Sequence, residues 1–156
     1  IKGGSGSLDS EYSVVLVNGV PTFTVFQFGT PIGSIAASNP LSDNTWTFIR
    51  CEYDGGGPTI TIAIDESDIQ STLVVGSPTT SGSNPFALGA NASAEYLDGQ
   101  LDSMGVWNRV LTTPEITSVY NAGSGLAYNQ LTAGLITGLA SWWDFDQLTG
   151  TRLSGG

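Results

Sequence analysis

An Asn-Gly pair at residues 18 and 19 separates two runs that are rich in β-branched and aromatic residues. Asn-Gly between such runs is the strongest short-range signal for a β-hairpin, because both residues tolerate the positive φ of a two-residue turn. We therefore predict a hairpin over residues 13–28. In its second strand, alternation places Phe23, Val25 and Gln27 on one face.

Further strand-like runs follow at steady intervals. Residues 37–44 form a turn cluster of Asn, Asp, Ser and Pro, and residues 45–53 are typical of the next strand. Residues 59–65 alternate cleanly, with three isoleucines facing one way, and residues 68–75 predict another strand. Short strands separated by turn-rich segments predict an all-β antiparallel sandwich.

The strand pattern continues through residues 101–107. Alternation places Asp102 on the same face as Met104 and Val106. A carboxylate is thus predicted on the side that should pack against the core.

A helix start follows this strand. Thr112 and Glu115 have the spacing of a capping box, in which the hydroxyl and the carboxylate each accept a bond from the other residue's backbone N–H. We predict one short helix after Thr112, which ends at the Asn-Ala-Gly of residues 121–123.

The charge balance limits the partners of this chain. Fourteen acidic and four basic residues give a net charge of −10, which repels nucleic acid and anionic membranes. We therefore expect no nucleic-acid partner. No run of about 18 apolar residues is present, so we also expect no membrane insertion.

Cys51 is the one cysteine, so it has no partner for an internal disulfide. Its strand-like context predicts a small core residue.

Residues 97–123, LDGQLDSMGVWNRVLTTPEITSVYNAG, resemble the closing signature of laminin-G-like, concanavalin-A-like jelly-roll (LamG) modules. That signature has Asp-Gly, an aliphatic residue, Asp, an alternating strand, an Asn-Arg-x-Leu corner and a Ser/Thr-x-x-Glu helix. The resemblance covers about residues 11–123. It implies an antiparallel jelly-roll β-sandwich with one short C-terminal helix, of the kind found in phage and bacterial surface proteins.

Three segments are predicted along the chain. Residues 1–123 are a LamG-like β-sandwich that lacks its usual opening strands, and residues 124–138 are a small-residue linker. Residues 139–156 contain WWDFDQL, which resembles the opening strand of such a module. This strand either begins a following module or is a permuted strand that completes the same sandwich. In both interpretations the sheet exposes an edge that invites a neighbour.

Asp102 is interpreted as a structural carboxylate. A buried carboxylate needs hydrogen bonds or a cation. We expect Asp102 to accept bonds from backbone amides near the Asn108-Arg109 corner, or to pair with an arginine. Arg109 is accordingly predicted to be structural, as are Thr112 and Glu115; a metal-ligand role for Asp102 is the alternative.

A calcium site is a second hypothesis. Asp65 and Asp68 lie with Glu66 in one turn, and Asp98 and Glu95 are further candidates. The resemblance implies calcium here, because many jelly-roll modules hold this ion at the sandwich rim through Asp and backbone oxygens. The spacing fits no EF-hand loop, and a solvated turn is the alternative.

Catalysis is not expected. Some jelly-roll glycosidases carry Glu-x-Asp-x-x-Glu on one strand, and the nearest stretch here has Ser71 in place of the second glutamate. The chain has no His for a triad, and Cys51 has no partner base. We predict that the protein is not an enzyme.

Three tryptophans are candidate ligand-binding residues. Trp107, Trp142 and Trp143 offer aromatic faces that stack on sugars, although core or interface packing is the alternative for each. Trp142 and Trp143 are adjacent in a predicted strand, so only one of them faces inward.

These observations favour a non-catalytic structural module of a virion, fibre or cell-surface protein. Its partners would be neighbouring copies or other structural proteins, and its location extracellular or on a virion surface. The alternative is an adhesion module that binds a glycan or a receptor, with calcium as an optional cofactor.

Overall fold

Six antiparallel strands form two three-stranded sheets in the first part of the chain. The computed structural model describes residues 11–78, 86–90 and 96–145, and the chain divides into two compact units, residues 1–98 and 99–156. The first unit contains β1 (Tyr12–Val17), β2 (Val20–Gln27), β3 (Thr30–Ala36), β4 (Ile49–Asp54), β5 (Thr59–Ile64) and β6 (Asp68–Leu73). Sheet A has the order β1-β2-β3, and sheet B has the order β4-β5-β6.

Two tight hairpins build sheet A. Val17 pairs with Val20 around Asn18 and Gly19, whose φ values are 52° and 79°, so the predicted hairpin is confirmed. The next hairpin turns at Phe28 and Gly29, with φ values of 49° and 74°. Two consecutive positive φ values define the type I′ geometry that matches the twist of the flanking strands.

The core of the first unit lies between the two sheets. It is formed by Phe23 and Val25 of β2, Ile60 and Ile62 of β5, and Val74. Both isoleucines are fully buried, as the alternation of residues 59–65 predicts. An all-β antiparallel sandwich is therefore confirmed.

β4 begins four residues later than the sequence predicts. The segment from Thr45 to Phe48 is irregular. The backbone N–H of Phe48 donates to the Asp65 carboxylate at 2.9 Å, and the Asp65 N–H donates to the Phe48 carbonyl at 2.9 Å. Asp65 has a φ of 50°, so the left-handed turn that follows β5 ends the regular β4–β5 ladder at Ile49 and Ile64.

The second unit contains a two-stranded antiparallel sheet and short helices. Its elements are β7 (Met104–Trp107), α1 (Thr113–Tyr120), α2 (Ala133–Ile136) and β8 (Leu139–Trp143), with 3₁₀ turns at Asn121–Gly123 and Tyr128–Gln130. α1 is the predicted helix, and it ends where Asn121 adopts a left-handed conformation. α2 was not predicted from the sequence.

The WWDFDQL segment begins within β8, which pairs with β7 of the same chain. Met104 lies opposite Trp143, and Gly105 lies opposite Trp142. The preceding segment 124–138, predicted as a linker, contains a 3₁₀ turn and α2 and buries Leu131 and Leu135. The domain boundaries themselves stay a prediction.

Candidate functional site

Arg109 organises the corner that follows β7. Its guanidinium donates to both carboxylate oxygens of Glu115, at 2.8 and 2.7 Å. It also donates to the backbone carbonyls of Gly134 at 2.7 Å and Thr137 at 2.8 Å. A planar guanidinium suits this arrangement, because its N–H groups point in fixed directions within one plane. One side chain thereby connects α1 to the segment that leads into β8.

Glu115 is held by the helix cap as well as by Arg109. Its carboxylate accepts the backbone N–H of Thr112 at 2.8 Å and the Thr112 hydroxyl at 2.8 Å. The predicted capping box is therefore present. The bonds from Arg109 and then from Thr112 lower the pKa of Glu115 from 4.5 to about 2.

Asp102 does not have the predicted position. Its side chain is exposed, and its carboxylate accepts a bond from the neighbouring Ser103 hydroxyl at 3.3 Å. Ser103 has a φ of 44°, so the backbone leaves the extended conformation there and β7 begins at Met104. The alternation cannot be extended back to Asp102, and the prediction of an inward-facing carboxylate is wrong. Arg109 pairs with Glu115 instead.

Two of the three candidate tryptophans are packing residues. Trp142 is 3% exposed, and its indole N–H donates to Asp144. Trp107 meets the Trp142 ring edge-on at a centroid distance of 6.0 Å, and its N–H donates to the Leu135 carbonyl at 2.7 Å. The assignment of Trp142 to a ligand is wrong, because a buried ring has no face to offer a sugar. Trp143 is half-buried, and its ligand role stays a prediction.

Two of the candidate calcium ligands, Asp65 and Asp68, are already engaged by protein donors. Asp65 accepts the Phe48 N–H. Asp68 accepts bonds from the Gln70 amide at 2.7 Å and from the Ser38 N–H and hydroxyl at 2.7 and 2.8 Å, which lower the pKa of Asp68. Asp98 is exposed near the end of the first unit, and Glu95 lies outside the described residues.

These carboxylates do not form a metal centre in the structure. Within residues 11–78, 86–90 and 96–145, no group of three or more His, Cys, Asp or Glu side chains converges as metal ligands would. Calcium needs six to eight oxygen ligands, and Asp65 and Asp68 are arranged to fasten loops rather than to surround an ion. The calcium site does not fit the described residues.

A charged cluster on the outer face of sheet B was missed from the sequence. Arg50 donates to Glu66 at 2.8 and 3.0 Å and to Glu52 at 2.6 Å. Cys51 and Tyr53 pack against the core, so alternation turns Arg50 and Glu52 outward. Arg50 and Glu52 are two residues apart in one strand, and this spacing could have predicted their ion pair. The contact with Glu66 depends on the turn after β5.

The loop between β3 and β4 presents another aromatic residue that the sequence did not single out. Ser38 fastens one end of this loop to Asp68, and Phe48 fastens the other end to Asp65. Between these points Leu41 donates its N–H to the Gly19 carbonyl at 2.9 Å. Trp46 lies on this fastened loop and is 63% exposed. The sequence predicts this residue within the strand 45–53, but the structure has irregular backbone there, which leaves Trp46 on the loop.

Large apolar side chains are also exposed on the outermost strands of both sheets. Each of these strands pairs on one side only within the described residues. On β1 and β6 the exposed residues are Val14, Leu16, Val17, Ile69 and Leu73. Exposed apolar residues on an edge strand are typical of surfaces that meet another protein.

The comparisons with known proteins agree with this fold. A laminin G family model, described as the concanavalin A-like lectin/glucanases superfamily, matches residues 3–117. No curated protein and no solved structure matches the chain. The family match spans most of the chain and both sheets of the sandwich, so the predicted family is confirmed. The chain belongs to the laminin-G-like members of the concanavalin A-like lectin/glucanases superfamily.

Proposed function

We propose that this chain is a non-catalytic structural module that works through protein–protein contacts in a larger assembly, such as a virion, a fibre or a cell-surface protein. The observation that carries the proposal is the exposed apolar surface of the edge strands. Leu16 of β1 is 44% exposed, and Leu73 of β6 is 73% exposed. Burying such side chains against a neighbour contributes roughly 25 cal/mol for each Å² of apolar surface removed from water.

The edge strand β1 also lacks the usual protection against pairing. Natural edge strands are commonly shielded by lysines, prolines or inward-pointing charges. β1 has the sequence YSVVLV and carries none of these. Among the described strands β1 pairs with β2 alone, so its other side is suited to pairing with a strand of a neighbouring module, and its apolar side chains would add affinity.

The environment of the acidic residues supports a non-catalytic role. A glycosidase needs one carboxyl group that donates a proton and a second that attacks or activates water. Glu66 accepts bonds from Nε and Nη2 of Arg50, and Asp68 accepts three hydrogen bonds that fasten a loop. Both carboxylates serve the fold.

We propose that the module lies outside the cell or on a virion surface. A net charge of −10 suits a protein that stays soluble among other surface proteins and avoids anionic membranes. No described helix has the length and apolar character needed to cross a bilayer. The proposed partners are neighbouring copies or other structural proteins.

Light scattering and electron microscopy of the purified chain, with and without calcium, test this function. We expect concentration-dependent assembly that the single change Leu16→Lys or Leu73→Lys reduces. Ser42→Lys is the matched control, because it adds the same charge at an exposed loop residue. A chain that stays monomeric at all concentrations, with lysine variants that behave like the parent, would contradict the proposal.

Trp46 favours a second candidate function, recognition of a glycan or a receptor. An exposed indole on a loop fastened at both ends offers a rigid stacking face at low conformational cost. A glycan array run with and without calcium tests this function. Binding that is lost in Trp46→Ala and kept in Trp143→Ala would support it, and an array without hits would remove it.

A further inference from the structure

Sheet A carries no charge at all. From Tyr12 to Ser42 the sequence has no Asp, Glu, Lys or Arg, and this range includes the whole of β1, β2 and β3. A second uncharged stretch runs from Ile69 to Ala94. In a chain with 14 acidic residues, charge is thus absent from one entire sheet.

Phe28 occupies a strained position at one tip of this sheet. It has a φ of 49° in the type I′ turn between β2 and β3, followed by Gly29. Type I′ turns favour Asn or Gly at that position, and the neighbouring hairpin of the same sheet has Asn18 there. A bulky aromatic residue is rare in this conformation. Phe28 is also 66% exposed, so its ring is not placed there to fill the core.

Val75 lies beside the same hairpin. Its backbone N–H donates to the Ile32 carbonyl at 3.4 Å, and the Gln27 amide oxygen lies 3.5 Å from where a Cβ on Gly76 would stand. Val75 is 85% exposed. Phe28 and Val75 come from the two uncharged stretches and are both exposed, and we name the surface around this hairpin that carries them the Phe28 patch.

We propose that the Phe28 patch is the surface through which two copies of this chain associate, an inference that rests on the proposed assembly function. Two bodies of charge −10 repel each other, and this repulsion is smallest for a contact that brings uncharged surfaces together. A basic partner would dock on the acidic surface instead. In an isologous dimer the Phe28 patch of one copy contacts the Phe28 patch of the other, so both patches are buried.

The left-handed conformation of Phe28 separates the effect of its replacement on stability from the effect on association. Strained residues cluster at sites where the strain is part of a function. Replacing Phe28 with Asn relieves the left-handed strain and removes the ring. The variant should therefore be more stable as a monomer and weaker in self-association, whereas a merely structural residue would lose stability when replaced.

Sedimentation and multi-angle light scattering of the full chain test the proposal. We expect parental self-association to strengthen when NaCl is raised from about 50 mM to about 500 mM, because salt screens the repulsion between copies. Phe28→Asn should weaken self-association about tenfold or more, as loss of an aromatic anchor does, and raise the melting temperature by about 2–4 °C. Phe28→Tyr should retain association.

Tyr96→Ala is the matched control, since Tyr96 is another exposed aromatic residue and lies beside acidic residues in the sequence. It should leave self-association unchanged. If the parent associates and Phe28→Asn associates equally well, the Phe28 patch is overturned while the assembly function stands. If association weakens with added salt, the charge argument fails and the patch is overturned. A parent that is monomeric at every salt concentration overturns both proposals.

Discussion

Gly105 decides how two tryptophans pack. A Cβ at this position would stand 2.8 Å from Cε3 of Trp142 and closer still to the Trp107 ring. We predict that Gly105→Ala lowers the free energy of unfolding by roughly 1–3 kcal/mol, as overpacking of a filled space does. Urea denaturation followed by tryptophan fluorescence measures this loss. Gly57→Ala is the control and should stay near the parent value, because a Cβ there meets nothing within 4 Å.

Asp102 gives a test of the corrected interpretation. An inward-facing, hydrogen-bonded carboxylate would cost roughly 1–3 kcal/mol when removed. Since the side chain is exposed in the structure, we predict that Asp102→Ala changes the free energy of unfolding by less than about 0.5 kcal/mol. Thermal denaturation of both proteins checks this, and a loss above about 1 kcal/mol would restore the buried carboxylate.

The ionised carboxylate of Glu115 contributes to the free energy of unfolding, and we predict that acid removes this contribution. Its pKa in the folded protein is about 2, below the ordinary 4.5, so the ionised form favours the folded state. This contribution is fully present above about pH 4.5 and is lost as the pH falls through about 2. Urea denaturation of the parent and of Glu115→Gln between pH 6 and pH 3 should show a stability difference that narrows as the pH falls. A difference that is constant with pH would show that the Glu115 carboxylate is not held in its ionised form.

At the scale of elements, Arg109 connects α1 to the segment that contains α2. We predict that Arg109→Lys increases hydrogen exchange of the amides at residues 133–137, because an ammonium group cannot reach Glu115, Gly134 and Thr137 together. Mass spectrometry of exchange over these residues measures the effect. Exchange in β5 of the first unit should stay unchanged, and equal protection of residues 133–137 in both proteins would contradict a fastening role.

Elements that begin or turn at a short sequence motif were predictable from the sequence. The first hairpin follows from Asn18-Gly19, and the start of α1 from the capping box, because a few neighbouring residues determine each of them. β3 was missed because Pro31 and Gly33 interrupt its pattern. The start of β4 was misplaced because a distant residue, Asp65, ends its ladder.

The candidate sites were less predictable because they depend on contacts between distant residues. The pairing of Arg50 with Glu66 is produced by the left-handed turn after β5, which no spacing rule indicates. The exposure of Trp46 depends on how its loop is fastened at both ends. Asp102 was misplaced by a single left-handed residue, Ser103, which broke the alternation on which the prediction depended.

At the scale of the whole molecule, β8 distinguishes the two interpretations of the C-terminal segment. We predict that a chain ending at Gly138 loses protection of β7 against hydrogen exchange, because β8 is the strand that pairs with β7 among the described residues. Exchange in β2 and β5 should persist as an internal control. Unchanged protection of β7 would show that β8 is dispensable here, as the first strand of a following module would be.

Cys51 has a practical consequence for all of these measurements. It packs against the core, and burial raises the pKa of its thiol to about 12. Thiolate is the reactive form, so an alkylating reagent should modify this half-buried residue slowly in the folded protein and much faster once β4 has separated from the core. Because the chain has one cysteine, the rate of labelling measures how often the sandwich opens at β4. Mass spectrometry follows this rate without an engineered probe.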